Sequence, residues 1–584
     1  MKKILYIVLF TSLIYSCGGG DKPKDGLLKA KGGAYYGGVF KMNEVEDFRN
    51  LYPLHVTGTI SHHIASQIYE GLVKLKQSDL TIIPALAEEW KKNDDATQWT
   101  FNIRKGVKFH DDDCFSDGKG REVTAADIKF CFDKLCTASP QNELFSTTFK
   151  DRVVGANQFF ESTVKNKPLP SGVSGIKLID ESTIQINLTH PFSGFLNILT
   201  TNGCWIYPHE ALEKYGDMMA EHCVGTGAFI GKKTKKGETV ELVRNPDYWA
   251  IDDDRNQLPL LDGVTISFIK DKKQELAAFK KGDLDMVFRI PNEMISEILS
   301  EYNGANEKSA SFDLQITPAM SIFYLGFNCQ SEIFKKKEVR LAFNYAINRK
   351  QIVDRILQGD GVPAIYGIVP PSLKQYDYKS LKGYTFDTTL ARNYLSDAGY
   401  PNGKGFPKIT LQVDKDGGNR NIQVATAIQE MLKKNLNVDI YISLKTFSEN
   451  LESIESGNAD FFRTGWNADY PDPESFLSLL YGKNIPEVSS EKSYLNSSRY
   501  QNEKFDIFYT QAMQEVDEKL RMNFYLKADQ IELDEGAIMP VFYDENYRMV
   551  QTRVKNFPAN AMEYRDLSTV YFTPKVEKET KSKK

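Results

Sequence analysis

The sequence predicts an α/β protein built from several domains, on three observations. The chain has 584 residues, and at roughly 150 residues per domain that is room for about three or four. Trp99-Thr100-Phe101-Asn102-Ile103 alternates apolar and polar side chains, the period of a half-buried strand. Ile409 to Val413, the amphipathic stretch Asn421 to Lys434 and Val438 to Ile442 read as strand, helix and strand. A unit of that kind calls for parallel strands joined by a right-handed crossover.

The remaining elements follow in chain order. Gly106 to Phe109 continues the first strand after a turn. Thr124 precedes Ala125-Ala126-Asp127-Ile128 as an N-cap, with Asp127 placed to close a variant capping box. Val339, Phe343, Ala346 and Ile347 recur at helical spacing and predict a helix over Val339 to Leu357, stopped by Gly359. Pro370-Pro371 and Pro401-Asn402-Gly403-Lys404-Gly405 mark loops. With 41% hydrophobic and 26% charged residues, the chain has enough apolar surface to bury a core, which excludes general disorder. A net charge of −5 carries no basic excess and argues against nucleic acid as a partner.

The N-terminus is organised differently. Lys2 and Lys3 precede an apolar run, Ile4 to Ile14, that is short for a membrane span. Ile14-Tyr15-Ser16-Cys17 follows it. This resembles the lipobox of bacterial lipoproteins, which implies cleavage before Cys17 and acylation of that residue. Residues 1–16 are then a signal peptide and 17–33 a flexible tether, beginning Gly18-Gly19-Gly20. Lys575 to Lys584 reads as a disordered, lysine-rich tail. Cys114, Cys131, Cys136, Cys204, Cys223 and Cys329 are left, and an exported protein is allowed disulfides among them, with no pairing favoured.

Several chemistries fail on spacing. His209-Glu210-Ala211-Leu212-Glu213 ends in glutamate where a zinc helix needs a second histidine. Asp111-Asp112-Asp113 with Asp117 has the acidity of a calcium loop, but Phe115 stands at a required oxygen position. The default there is a solvated loop. His62 and His63 are expected at the surface or at the rim of a cleft. No G-x-S-x-G elbow and no phosphate-binding Walker loop occurs.

A series of short motifs then appears in a fixed order: Tyr69-Glu70-Gly71-Leu72-Val73, Pro84 to Trp90, Gly225-Thr226-Gly227-Ala228-Phe229, Arg244 to Trp249, Ala278 to Asp285, Val339 to Arg349, and Trp466-Asn467-Ala468-Asp469-Tyr470-Pro471-Asp472-Pro473. Together they resemble bacterial extracellular solute-binding proteins of family 5, the peptide- and nickel-type receptors of ABC importers, from about Ala34 to about Thr573. The resemblance implies a two-lobed periplasmic-binding-protein fold of the large type, closing by a hinge around a central cleft. It implies lobe I from 34–69, 186–311 and 536–574, an extra subdomain at 70–185, and lobe II at 312–535. Tyr69, Glu70, Trp90, Asn245, Pro246, Tyr248 and Trp249 are expected to be structural.

The same resemblance implies a receptor without catalytic work or cofactor. It captures short peptides as a monomer and hands them to transmembrane permease subunits and, through these, the ATPase subunits, held at the cell envelope by its N-terminal lipid. Asp469 matches the aspartate that binds a peptide's α-ammonium group, with Asp472 the less favoured carboxylate. Arg463 matches an arginine that can meet the C-terminal carboxylate as a planar, two-pronged donor. Gly465, Trp466 and Asn467 are expected to offer backbone to an extended ligand, with Trp466 as an apolar wall. Val56, Thr57 and Gly58 are expected to line the opposite side. Asn467 replaces the cysteine of the oligopeptide pattern, so the local disulfide is absent. Alternatives that stay open are the same fold with a nickel chelate, haem, an opine or an oligosaccharide, a peptide sensor without transport, and a secreted hydrolase working through paired carboxylates.

Overall fold

The computed structural model describes residues 26–139, 142, 144–304, 311–416, 419–488 and 491–575. Cys17, the leader before it and residues 576–584 lie outside that range. The tether does not extend as far as residue 33. Leu27 is 2% exposed in the core, and Leu28–Lys29 pairs with Tyr35–Tyr36. The apolar Leu27 side chain draws this segment onto the body, which the polar composition ahead of it does not reveal.

Three sheets organise the chain. The first joins Phe229–Lys233, Val240–Arg244, Gly263–Ser267 and Val39–Asn43, the last pair being parallel. The second is antiparallel: Ala87–Lys92, Gln98–Ile103, Thr183–Asn187 and Ile176–Asp180. Gln98–Ile103 buries every second residue, as its alternation requires. Gly106 to Phe109 does not prolong it; only an isolated bridge forms there, between Lys108 and Glu122. The helix Ala125–Leu135 starts at the Thr124–Asp127 capping box.

One apolar core unites these two sheets, drawing on Phe40, Phe101, Phe132, Phe229 and Val264, with Phe572 returning from the far end of the chain. Glu70 sits inside it as a buried carboxylate. It accepts hydrogen bonds from Thr226 Oγ1 (2.9 Å), Tyr248 Oη (2.9 Å) and Trp249 Nε1 (3.1 Å). These donors replace the water lost on burial. Gly225 lies so close to the 67–69 backbone that a Cβ there would stand 2.1 Å from the carbonyl oxygen of Ile68. The motifs around Glu70, Gly225 and Tyr248 are therefore one packing unit. His63 is also interior: it bonds Glu44 at 2.8 Å, and Arg565 holds the same Glu44 oxygen at 2.7 Å. The expectation of a surface His63 fails because this ion-paired carboxylate, just past the strand Val39–Asn43, supplies its partner inside the protein.

The third sheet runs Met286–Phe288, Ile538–Gln551, Phe312–Phe327, Phe461–Asn467, Ile409–Asp414 and Ile440–Lys445, with Val362–Pro363 also pairing with Ile538–Gln551. Its last three strands are parallel, as the strand–helix–strand unit requires, and the connecting helix is Asn419–Leu436. Phe312–Phe327 and Ile538–Gln551 are unusually long strands. Each passes from one core to another: Phe312 and Met549 pack with Phe279 and Ile298, whereas Phe323, Phe327 and Phe542 pack with Val339, Phe343 and Ile428. Midway, between Pro318 and Ile322, their register shifts by a bulge.

The helix expected over 339–357 is broken. Lys337–Ala346 is helical, Ile347 is extended, and Asn348 caps a new turn by accepting from the Gln351 amide. The break lets Arg349 turn inward to the carbonyl oxygen of Pro540 (2.6 Å) and to Asn344. Among the described residues all six cysteines are free. Cys131 and Cys136 belong to the apolar core, where they act as small hydrophobes. The acidic loop is ordered: Asp112 accepts from the Cys114 amide, Tyr215 and His222.

Candidate functional site

The strand Phe461–Asn467 carries the candidate site. It begins buried, at Phe461 and Phe462, and ends exposed at Asn467. One edge pairs along its full length with Phe312–Phe327, from Phe461↔Phe327 to Asn467↔Ser321. The other edge pairs with Ile409–Asp414 only at Phe461 and Phe462. Beyond them, Asn450 Nδ2 caps the Arg463 carbonyl at 3.2 Å, and among the described residues no strand covers Thr464 to Asn467. That leaves half a strand edge open.

The placement follows from topology. The strand Ile409–Asp414 sends its helix toward Ile440–Lys445 on one side. The neighbouring strand Phe461–Asn467 passes its chain onward, ultimately to Ile538–Gln551 on the other side. The carboxyl ends of these two strands therefore flank a switch point, the crevice where open α/β sheets bind ligands.

Asp469 lies just past the open edge. Its backbone amide donates to Ser475 Oγ at 3.1 Å, and so does Trp466 Nε1 at 3.4 Å. Asp469 is exposed to solvent, yet protein surrounds it closely enough to desolvate its carboxyl, as in the wall of a cleft. That desolvation, with the charge of nearby Glu474, pushes the carboxyl up to about 7. Among the described residues no cation pairs with it. Trp466 is half-buried and rests against the core of Phe476, Leu477 and Tyr509.

The loop that follows is locked from several directions. Glu474, 1% exposed, bonds Arg152 at 2.9 Å, Tyr509 Oη at 2.8 Å and the hydroxyl of Tyr470. Asp472 pairs with Arg521 at 2.6 Å and accepts from the Glu474 amide at 3.0 Å. Asn197 approaches it at 3.4 Å. Arg152 and Asn197 come from the N-terminal core, and Tyr470 joins that core too. The carboxylate beside Asp469 in sequence is thus occupied internally, whereas Asp469 is not.

The other expected residues divide. Arg463 Nη1 is already paired with Asp414 Oδ2 at 2.7 Å, and its guanidinium lies 4.6 Å over the Phe323 ring. Arg463, expected to meet a ligand carboxylate, thus holds an internal ion pair, while its Nε has no hydrogen-bond partner among the described residues. Asp414, 2% exposed, sits at the end of the adjacent parallel strand and needs a cation of its own. Val56 is buried, and its carbonyl accepts from Asn202 Nδ2 at 3.0 Å; it belongs to the core, not to a cleft wall. Thr57 and Gly58 are exposed ahead of the helix Thr59–Ala65, and among the described residues neither is hydrogen-bonded to the 463–469 segment.

Sequence reasoning passed over Asp414, Arg420, Asp360 and Asp544. Arg420 opens the helix after Asp414, and its Nη2 reaches Asp544 Oδ1 at 2.8 Å and Asp360 Oδ2 at 3.3 Å. The one available signal was an aspartate closing a strand just before a helix, a common position for binding groups in parallel sheets. An open recess of about 710 Å³, lined by Glu88, Arg104 and Trp249 among others, lies on the second sheet and shares none of these residues.

Comparison with known proteins agrees with this architecture. Residues 81–486 match the model of bacterial extracellular solute-binding proteins, family 5 Middle. The chain is 25% identical over 521 residues to the periplasmic oligopeptide-binding protein OppA of Escherichia coli K12, covering 88% of this chain and 89% of that one. It is 26% identical to the glutathione-binding protein GsiB of Shigella flexneri (87% and 89% covered). Among solved structures it is similar to DppA of Helicobacter pylori in complex with the peptide STSA, with a TM-score of 0.75, 26% identity, and 92% and 98% of the two chains covered. It is equally similar to OppAIV of Borrelia burgdorferi, with a TM-score of 0.75, 25% identity, and 92% and 100% covered. The two-lobed α/β fold of periplasmic binding proteins is therefore the fold of this chain, and the chain belongs to the bacterial extracellular solute-binding proteins, family 5.

Proposed function

We propose that this protein captures peptides by their free amino end in the cleft at the carboxyl end of Phe461–Asn467 and delivers them to the permease of an ABC importer. The observation that supports it most is Asp469, a desolvated carboxylate just past an open strand edge, with no cation paired to it among the described residues. A cationic ammonium satisfies that carboxylate, and the backbone of Gly465, Trp466 and Asn467 offers hydrogen bonds that ignore side-chain identity. Trp466 walls the ligand, and Thr57 and Gly58 approach it from lobe I on closure. Binding without chemistry fits the family, whose members are solute receptors.

In this reading the lobes meet near residues 311–312 and 535–536, and the long strands Phe312–Phe327 and Ile538–Gln551 bend at their shared bulge as the cleft shuts. Lipid on Cys17 holds the protein at the membrane surface; Cys17→Ser then moves it from the membrane fraction to the soluble fraction. Calorimetry with pairs of tri- to pentapeptides tests the reading itself. Free-ended peptides bind, and their N-acetylated twins lose at least a hundredfold in affinity. Equal binding of the two forms refutes it.

A further inference from the structure

The start of the strand Phe461–Asn467, around Arg463, has a composition of its own. Phe323 and Phe542 stack with centroids 4.6 Å apart, and a guanidinium lies on each: Arg463 at 4.6 Å from Phe323 and Arg420 at 4.6 Å from Phe542. Flat cations on aromatic faces make a floor suited to a carboxylate, were their charge available. That charge is already matched inside the protein. Asp414 holds Arg463 at 2.7 Å; Asp544 and Asp360 hold Arg420 at 2.8 and 3.3 Å. Ser321 Oγ donates to the second oxygen of Asp544 at 3.2 Å and ties this cluster to the bulge of the long strands. Asp544 and Glu545 act on Asp360 as like charges, opposed by the cations Arg420 and Arg289. Burial, with repulsion from Asp544 and Glu545, raises the Asp360 carboxyl to about 6.

The charges around the floor are thus Asp360, Asp414, Asp544 and Glu545 against Arg289, Arg420 and Arg463. An arriving carboxylate would have to compete with buried or half-buried aspartates for guanidinium charge that they already match, although Arg463 Nε and Arg420 Nε and Nη2 have no hydrogen-bond acceptor among the described residues. It would also be desolvated beside like charges, a placement that costs more than it returns.

We propose that the Asp414–Arg463 and Asp360–Arg420–Asp544 pairs close the far end of the crevice to a ligand's C-terminal carboxylate, so that the protein reads only the amino end of a peptide and accepts amidated, extended or C-terminally basic chains as readily as free acids. This rests on the peptide reading above and sets its substrate class: chains defined at one end, of open length.

The experiment compares each peptide from three to eight residues in three forms, namely free at both ends, C-terminally amidated and N-acetylated, by calorimetry on the full-length wild-type protein. Amides match free acids within about twofold at every length, while N-acetylation abolishes binding. A free acid that outbinds its amide tenfold or more at any length overturns the inference and leaves the amino-end reading standing. Failure of every peptide to bind overturns both. Asp414→Asn provides a second readout: with Arg463 released, the variant gains a preference of about tenfold for free acids over amides. No preference in a folded variant counts against Asp414 as the group that withholds Arg463.

Discussion

Asp469→Asn abolishes most peptide binding: affinity falls by about 3–5 kcal/mol, the usual cost of removing one partner from a desolvated ion pair. An asparagine is nearly isosteric and keeps a hydrogen-bond acceptor, so shape and backbone contacts survive and only the charge goes. The pH dependence gives an independent check. In the empty protein the Asp469 carboxyl titrates at about 7, held there first by desolvation and then by Glu474. A bound ammonium favours the ionised form and lowers that value in the complex. Below pH 7 a proton must therefore leave before the ligand is held. Wild-type affinity rises with pH toward 7, by up to about tenfold per unit, and levels off above it. The asparagine variant shows no such slope. Titration calorimetry at pH 5.5, 6.5 and 7.5 in buffers of different ionisation enthalpy reads both affinity and proton release. A variant that keeps wild-type affinity, or a wild type flat across that range, removes Asp469 from the ligand contact.

The second large effect is on stability. Asp472→Asn leaves Arg521 buried without its carboxylate; the two side chains are 2% and 8% exposed and 2.6 Å apart. Uncompensated burial of that kind costs about 3–5 kcal/mol. The expected result is a marked fall in the urea midpoint and in Tm. Peptide affinity, measured at a temperature where the variant remains folded, falls much less than for Asp469→Asn, because Asp472 faces Arg521 and Asn197 and not the open strand edge. Equal losses of affinity in the two variants would dissolve the division of labour between these neighbouring aspartates. The saturating ligand adds a further contrast: it raises the Tm of Asp472→Asn through mass action and fails to raise that of Asp469→Asn.

The contacts around Glu474 bear on how capture is relayed. Arg152 comes from the N-terminal core, while Tyr509 belongs to the core behind Trp466. Glu474 therefore links Arg152 to Tyr509 while sitting close enough to Asp469 to bias its charge.

Much of the architecture was legible in the chain. Alternation in Gln98–Ile103, the Thr124 capping box and the parallel unit around Asn419–Leu436 are local patterns, and local patterns survive folding when the buried face agrees with them. The ordered series of motifs carried the family, and packing explains why: Glu70, Thr226, Tyr248 and Trp249 meet in one buried hydrogen-bond cluster, so each constrains the others. Asp469 stands two residues past the strand Phe461–Asn467 and ahead of a proline-punctuated loop, and that local pattern is readable in the chain.

What tertiary structure decided concerns partners distant in sequence. Arg463 finds Asp414 across 49 residues, His63 finds the Glu44–Arg565 pair, and Arg349 bends the expected helix to reach Pro540. A charged side chain announces its need for a counter-charge but not which one supplies it. Low dielectric makes the nearest opposite charge in space decisive, and space is assigned by the sheet. For that reason Asp469 stands out in the sequence, whereas the pairing of Arg463 and Arg420 with aspartates emerges only once strands 409–414, 461–467 and 538–551 lie side by side.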